Sequence, residues 1–143
     1  MEPRAPSDVL VDFERVCRAL RAGGSERLAW EWDDRFSAAL AVARAPQHEA
    51  LLALVAAELR SRWDAASLRG APARIARLSR AWGGLRPGQL MLTRDPGEDP
   101  LLLGVWWPWG DGASFSLRVG CDAEGPEAAA LDPRAVLRRC FEL

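Results

Sequence analysis

The stretch LLLGVWWPWGDGASFSLRV, residues 101–119, limits the fold most tightly because its first half is apolar on both sides of a predicted strand. Neighbouring strand residues point to opposite faces, so Trp106 and Trp107 cannot enter the same core layer. Such a strand is central and covered on both sides, or one of its sides meets a partner. Three interpretations therefore stand: both tryptophans are covered within the monomer, one lies in a protein interface, or a ligand stacks on one.

A hairpin turn follows these tryptophans. Pro108 lacks an N–H and ends the strand, which presents Trp109 at the turn. The Gly-Asp-Gly sequence of residues 110–112 is a strong hairpin signal. The next strand alternates, and its predicted outward side carries Ser114, Ser116 and Arg118. A mostly polar face beside an exposed tryptophan is a candidate contact surface, since tryptophan is enriched at interface hot spots.

Periodicity predicts the remaining elements. Apolar residues at helical spacing predict helices over 7–24, 47–63, 73–82 and 132–143, with Trp63 on the apolar stripe of the second. Alternation predicts a hairpin over 27–43 that turns at residues 33–34, and strands over 88–94, 101–107 and 113–121. Residues 35–43 are rich in alanine, the best helix former, so either a strand or a helix remains open there.

The order α-β-β-α(α)-β-β-β-α predicts an α+β fold. A β-hairpin and a three-strand meander would form a five-stranded antiparallel sheet with helices packed on it. The chain has 143 residues, enough for one core. We expect a flexible proline-rich arm over residues 1–6 and a single α+β domain over residues 7–143.

Composition excludes several classes of function. The net charge is −1 and the sequence pI is about 5.9, so no overall field attracts nucleic acid or a membrane. The start of the chain does not resemble a secretory signal, and no apolar run is long enough to span a membrane. Three cysteines without a CxxC pair favour free thiols and a cytoplasmic location.

Catalytic motifs are absent from the sequence. The single histidine, His48, stands near a predicted helix start on the apolar stripe, which favours a packed or capping role. A hydrolase around it would need a nucleophile, and no G-x-S-x-G frame, Walker loop or metal-ligand spacing is present. We therefore expect no catalytic residue, no metal, no cofactor and no small-molecule substrate.

Arginines are concentrated in residues 60–86, where Asp64 is the only acidic residue. Arg74, Arg77 and Arg80 lie opposite the apolar side of the predicted helix 71–82. This pattern is typical of the solvent-facing side of a helix. It would also allow the helix to bind an acidic protein surface, a phosphate or a nucleic acid. Nucleic-acid-binding proteins usually also have a higher pI or a known base-recognition motif.

The element order, together with GQLMLTR and LLLGVWWPWGDGASFSLRVGCDAEG in residues 88–125, resembles the Roadblock family of dynein-light-chain-like domains. That family runs helix, two strands, long helix, three strands, helix, and its members dimerise and regulate small GTPases. The resemblance implies a regulatory or scaffold subunit without catalytic residues. Type III secretion chaperones share a similar α+β layout and size.

The expected function is a non-catalytic protein–protein interaction domain, an adaptor or a regulatory subunit of a complex. It would act as a homodimer or as one subunit with a protein partner. The expected contact residues are Trp106, Trp107, Trp109, Arg74, Arg77, Arg80 and Arg118. The alternatives are a secretion-type chaperone or immunity-like binder, and a phosphate or nucleic-acid binder that uses helix 71–82.

Overall fold

A computed structural model describes residues 4–23 and 28–143. Residues 1–3 of the predicted arm, Gly24 at the end of the predicted first helix and Arg27 at the start of the predicted hairpin lie outside the described residues. The helices are α1 (Pro6–Ala22), α2 (His48–Leu59), α3 (Ala73–Ala81), α4 (Pro126–Ala130) and α5 (Pro133–Cys140). The strands are β1 (Trp30–Asp33), β2 (Ala38–Arg44), β3 (Ser61–Trp63), β4 (Leu90–Thr93), β5 (Leu101–Pro108) and β6 (Ser114–Asp122).

One antiparallel sheet organises the fold, with the strand order β1-β2-β6-β5-β4-β3. The predicted α+β class is confirmed, and residues 38–44 are a strand rather than a helix. The predicted count of five strands is wrong, because the described residues form six. The Trp106–Trp107 strand, β5, lies inside the sheet between β6 and β4, as expected for a strand that is apolar on both faces.

The additional strand, β3, comes from a segment that the sequence pattern assigns to a helix. Helix α2 ends at Leu59 because Arg60 adopts a left-handed backbone with φ 76°, while its N–H still donates to the Ala56 carbonyl at 2.9 Å. The chain leaves in a new direction, and Trp63 pairs with Met91 on β4. The placement of Trp63 on a helical stripe is therefore wrong. A second unpredicted element, α4, precedes α5.

The two faces of the sheet are covered differently. One face, here the first face, is fully covered by α1, α2 and α5, whose apolar residues pack on Ala39, Ala41, Leu117 and Trp106. The opposite face, the second face, is covered only in part, where α3 packs Ile75 and Leu78 onto it and Trp82 packs at the C-terminal end of the helix. This difference leaves part of the second face without a helix.

A close approach anchors α3 at the boundary of its cover. Gly120 of β6 lies beneath Trp82, and a Cβ built at Gly120 would stand 2.6 Å from Trp82 Cζ2 and 3.7 Å from Ala38 Cβ. Only a residue without a side chain admits the indole this near the strand. In residues 4–23 and 28–143, no helix is long and apolar enough to cross a membrane.

Candidate functional site

Trp106 belongs to the core under the helices. Its side chain is 1% exposed, stacks on Phe115 with ring centroids 4.2 Å apart, and meets the edge of His48 at 5.1 Å. The expectation that Trp106 contacts a partner is therefore corrected, because the monomer already buries it. His48 is the packed histidine that the sequence predicted, since it also meets Phe115 edge-on at 5.5 Å.

The thiols of Cys17 and Cys121 are poorly suited to nucleophilic chemistry. Burial raises the pKa of Cys121 to about 12 and raises the pKa of Cys17 well above its ordinary value. Both thiols therefore stay protonated at neutral pH, and the thiolate is the nucleophile. Among the described residues, the three cysteines are free, and no cluster of histidine, cysteine and acidic side chains could hold a metal ion.

The uncovered part of the second face forms a continuous surface across β2, β6 and the end of β5. The register aligns Val42 with Ser116 and Ser116 with Trp107, and the neighbouring row aligns Arg44 with Ser114. The name open face is used here for Leu40, Val42, Arg44, Ser114, Trp107 and Trp109. Val42 is 45% exposed at its centre, although a valine in a middle strand normally packs under a helix.

Trp109 extends the open face toward the hairpin tip. Its N–H donates to the Ser114 carbonyl at 2.8 Å, so the ladder continues past the end of β5, and its side chain is 49% exposed. Alternation from Trp107 places Trp109 on the same side of the sheet. The predicted turn is confirmed, because Asp111 Oδ1 accepts from the N–H groups of Ala113 and Ser114, which lower the pKa of Asp111.

Trp107 and Arg118 form the border between the open face and the part that α3 covers. The Arg118 guanidinium lies 4.6 Å from the Trp107 ring centroid. Phe36 meets Trp107 edge-on at 5.7 Å and stacks on Trp82 at 4.8 Å. Trp107 is thus half-buried and held by Arg118 and Phe36, which fixes the edge of the open face. Its indole nitrogen is buried without a hydrogen-bond partner.

Arg118 also carries the best-defined ion pair beside this surface. Its Nε donates to Asp33 Oδ2 at 2.6 Å, and one terminal nitrogen donates to Ser116 Oγ at 3.1 Å. Burial alone would raise the pKa of Asp33, but hydrogen bonds from Arg118 and from the Arg35 N–H lower it below its ordinary value. The Arg118 guanidinium therefore already binds the Asp33 carboxylate and packs on the Trp107 ring.

Arg74 lies in an internal cluster of ion pairs and hydrogen bonds and is largely shielded from solvent. Its side chain is 9% exposed and bonds to the carboxylates of Asp99 and Asp122 and to the Glu98 carbonyl. Arg77 donates to Asp122 and Glu124 from the more exposed side of the same cluster. The expectation that Arg74 contacts a partner is corrected, because its donors are already used across α3, the loop before β5 and the end of β6.

Arg80 behaves differently from its two helical neighbours. It is exposed, and no carboxylate of the described residues lies within ion-pair distance of it. The same holds for four other exposed arginines of this region, Arg60, Arg62, Arg69 and Arg86. The arginine-rich segment therefore presents separate cations on several elements, rather than the three-residue helical stripe that the sequence suggested.

The structure brings Trp107, Trp109 and Arg118 together at one surface and places Trp106, Arg74, Arg77 and Arg80 elsewhere. Sequence reasoning missed Val42 and Leu40 as surface residues. The alternation of alanines with larger side chains in β2 separates two faces, but it does not indicate that the helices cover the alanines. No family model matches this chain, and searches of the curated proteins and of the solved structures find no match either.

Proposed function

We propose that this chain is a non-catalytic protein-interaction domain, an adaptor or a regulatory subunit, that docks its partner on the open face. One observation carries the proposal. Of the three large hydrophobic side chains that are exposed in residues 4–23 and 28–143, Val42 and Trp109 both belong to this surface. The third, Val11, stands apart on α1. Exposed apolar groups on one surface, with a tryptophan among them, are typical of interface centres.

The surroundings of Val42 and Trp109 support the same function. Ser114 and Arg44 give the apolar centre a polar rim, which matches the usual anatomy of a protein interface. Arg118 and Phe36 hold Trp107 in place, so this edge of the surface is formed before a partner arrives. A preformed surface loses less conformational entropy on binding than a mobile one.

The resemblance to the Roadblock family stays a prediction within this proposal. The shared features are the initial helix with two strands, a following helix, and three consecutive strands before the last helices. The departures are β3, α3 and α4, which the family's element order does not include. A secretion-type chaperone or an immunity-like binder would use the same kind of surface for a different partner.

A phosphate or nucleic-acid ligand on helix 71–82 is less well supported. Such a ligand would need Arg74, Arg77 and Arg80 together, and the first two are engaged by Asp122. The carboxylates that already bind Arg74 and Arg77 would also repel a phosphate placed beside these arginines.

The experiment is a tagged pull-down from native lysate with wild-type protein and two matched variants. Val42→Asp places a charge at the centre of the open face, and Val11→Asp places the same charge on the 68% exposed Val11 of α1. We expect a stoichiometric partner, or a tagged–untagged pair of this chain, with wild type and Val11→Asp but not with Val42→Asp. Circular dichroism checks that both variants fold.

Two results would overturn the proposal. Equal capture by Val42→Asp and wild type would show that the partner binds elsewhere. A folded wild-type protein that captures no protein and does not self-associate would remove the interaction role altogether. Nucleic acid in the eluate, detected by absorbance, would favour the arginine-based alternative.

A further inference from the structure

We propose that the open face binds the same face of a second copy of this chain, around a two-fold axis that runs across the strands above Val42. This inference rests on the proposed function, because it names the partner of the open face. Two features of the described residues support it. The central row has an apolar side chain at each end, Val42 and Trp107, and opposite charges without ion-pair partners lie on either side of that row.

The strand register gives the positions of these groups. Trp107, Ser116 and Val42 form one row across β5, β6 and β2. Glu31 is aligned with Leu40, one step from the row along β2, and Arg44 stands one step from it in the other direction. Two strand residues span about 6.8 Å, so Glu31 and Arg44 lie on opposite sides of the row at similar distances.

A two-fold axis that runs parallel to the central row, between the two sheets, places this row of one copy opposite the same row of the other copy. Val42 then meets Val42 of the second copy, and the exposed part of Trp107, beside its Arg118 guanidinium, comes opposite the same part of the second copy. Self-complementary contact of this kind is what an isologous interface requires. The apolar side chains that solvent now reaches would be buried at the centre, where interfaces are most apolar.

The same rotation exchanges the two sides of the row and so pairs the charges. Glu31 of one copy comes to the level of Arg44 of the other, displaced sideways by one strand spacing of about 4.8 Å. Packed sheets lie about 10 Å apart, a gap that an extended glutamate and arginine span together. Both residues are exposed, and neither forms an ion pair among the described residues. Each dimer would gain two such pairs.

The hairpin tip fits this arrangement too. Trp109 stands opposite Ser114, in the row of Arg44, so the rotation carries it over the row of Val105 and Arg118 of the other copy. Val105 is buried in the cluster that α3 covers, whereas Arg118 of the same row is partly exposed, so the edge of that cover crosses the row. Trp109 would therefore pack beside the α3 of the second copy and extend the contact beyond the sheet.

The size of the contact sets its expected strength. Three rows and four strands give a footprint of roughly 300 Å² per copy at ordinary strand spacings. Standard interfaces bury about 800 Å² per partner, and the hairpin tips supply only part of the difference. We expect a weak dimer with a dissociation constant on the order of 10 μM.

Sedimentation equilibrium of the purified chain, from 1 to several hundred micromolar, tests the inference. Glu31→Arg and Arg44→Glu should each weaken the dimer roughly tenfold, because each places like charges across the interface twice. The double variant should return to within about threefold of wild type, since the charges are again opposite. Val42→Asp should abolish association, and Val11→Asp should leave it unchanged.

Each outcome separates this inference from the proposed function. A wild-type chain that stays monomeric at several hundred micromolar overturns the two-fold pairing. A Val42-dependent heterologous partner in the pull-down would then still support the proposed function. Dimers that form but do not respond to Val42→Asp place self-association on another surface, which also overturns the inference. If the double variant dimerises more weakly than either single variant, instead of regaining nearly wild-type affinity, Glu31 and Arg44 do not meet.

Discussion

Arg118 Nε lies 2.6 Å from Asp33 Oδ2, although 85 positions of the chain separate the two residues. The bond connects β6 to the end of β1, and the same guanidinium covers the ring of Trp107 at 4.6 Å. One side chain therefore joins the central strands, the edge strand and the border of the open face. Stability and surface shape depend on the same residue at this point.

Arg118→Ala should lower the free energy of unfolding by about 2 kcal/mol, because it removes a charge-assisted bond and leaves Asp33 partly buried without its partner. Urea unfolding followed by tryptophan fluorescence measures the change. Arg139→Ala is the matched control, since Arg139 pairs with Glu14 at 3.6 Å at an exposed site. Its effect should stay below about 0.5 kcal/mol. Equal effects of the two variants would contradict the prediction.

Asp33 should give the protein part of its sensitivity to acid. Its pKa in the folded state is lowered from the ordinary 3.8, so its contribution to stability is fully present above that value. The contribution is lost as the pH falls below 3.8 toward the lowered pKa. Asp33→Asn should be less stable than wild type at pH 7 and should converge toward it in this acid range. Unfolding curves between pH 2 and 7 that remain parallel would rule out this role for the carboxylate.

Arg74 and Arg80 lie on one helix, but their substitution should change stability by very different amounts. Arg74→Met should destabilise the fold by about 3 kcal/mol, because Asp99 and Asp122 lose the cation between them. Arg80→Met removes an exposed arginine and should change stability by less than about 0.5 kcal/mol. Thermal unfolding of both variants in one buffer is the measurement. A mild Arg74→Met variant would mean that the cluster is not needed to hold α3.

Gly120 should tolerate no side chain. A Cβ at this position would stand 2.6 Å from the Trp82 ring, so Gly120→Ala must displace the indole from β6 and should cost about 1–3 kcal/mol. Gly110→Ala is the control, because a Cβ there meets nothing within 4 Å. The comparison uses chemical unfolding together with near-ultraviolet circular dichroism of the tryptophans. An unchanged tryptophan spectrum in Gly120→Ala would show that Trp82 does not lie against the strand.

Local signals in the sequence were sufficient for the turn at residues 110–112 and for the central position of β5. The turn depends on adjacent residues, and a strand that is apolar on both faces belongs inside a sheet. The same apolarity made Trp106 and Trp107 indistinguishable, because only the helices packed on each face decide which is buried. A local pattern cannot report on a layer contributed by distant residues.

Other features depended on single residues or distant partners. The stripe from Leu59 to Trp63 keeps helical spacing, and only the left-handed backbone of Arg60 ends the helix between them. Arg74 resembles a solvated helix residue until Asp122, 48 positions later, is placed beside it. The open face was hidden because β2 carries alanine on the side that the helices cover and larger side chains on the other.

The position of β6 between β2 and β5 has a consequence for synthesis on the ribosome. The β1–β2 hairpin is made early, yet its only other neighbour in the sheet is the last strand to be synthesised. Until residues 114–122 leave the exit tunnel, the free edge of β2 and the future sites of Trp82 and Arg74 stay incomplete. A nascent chain truncated before β6 would therefore carry two half-sheets, β1–β2 and β3–β4–β5, with no strand to join them, and we expect it to be recognised as unfolded by chaperones and proteases.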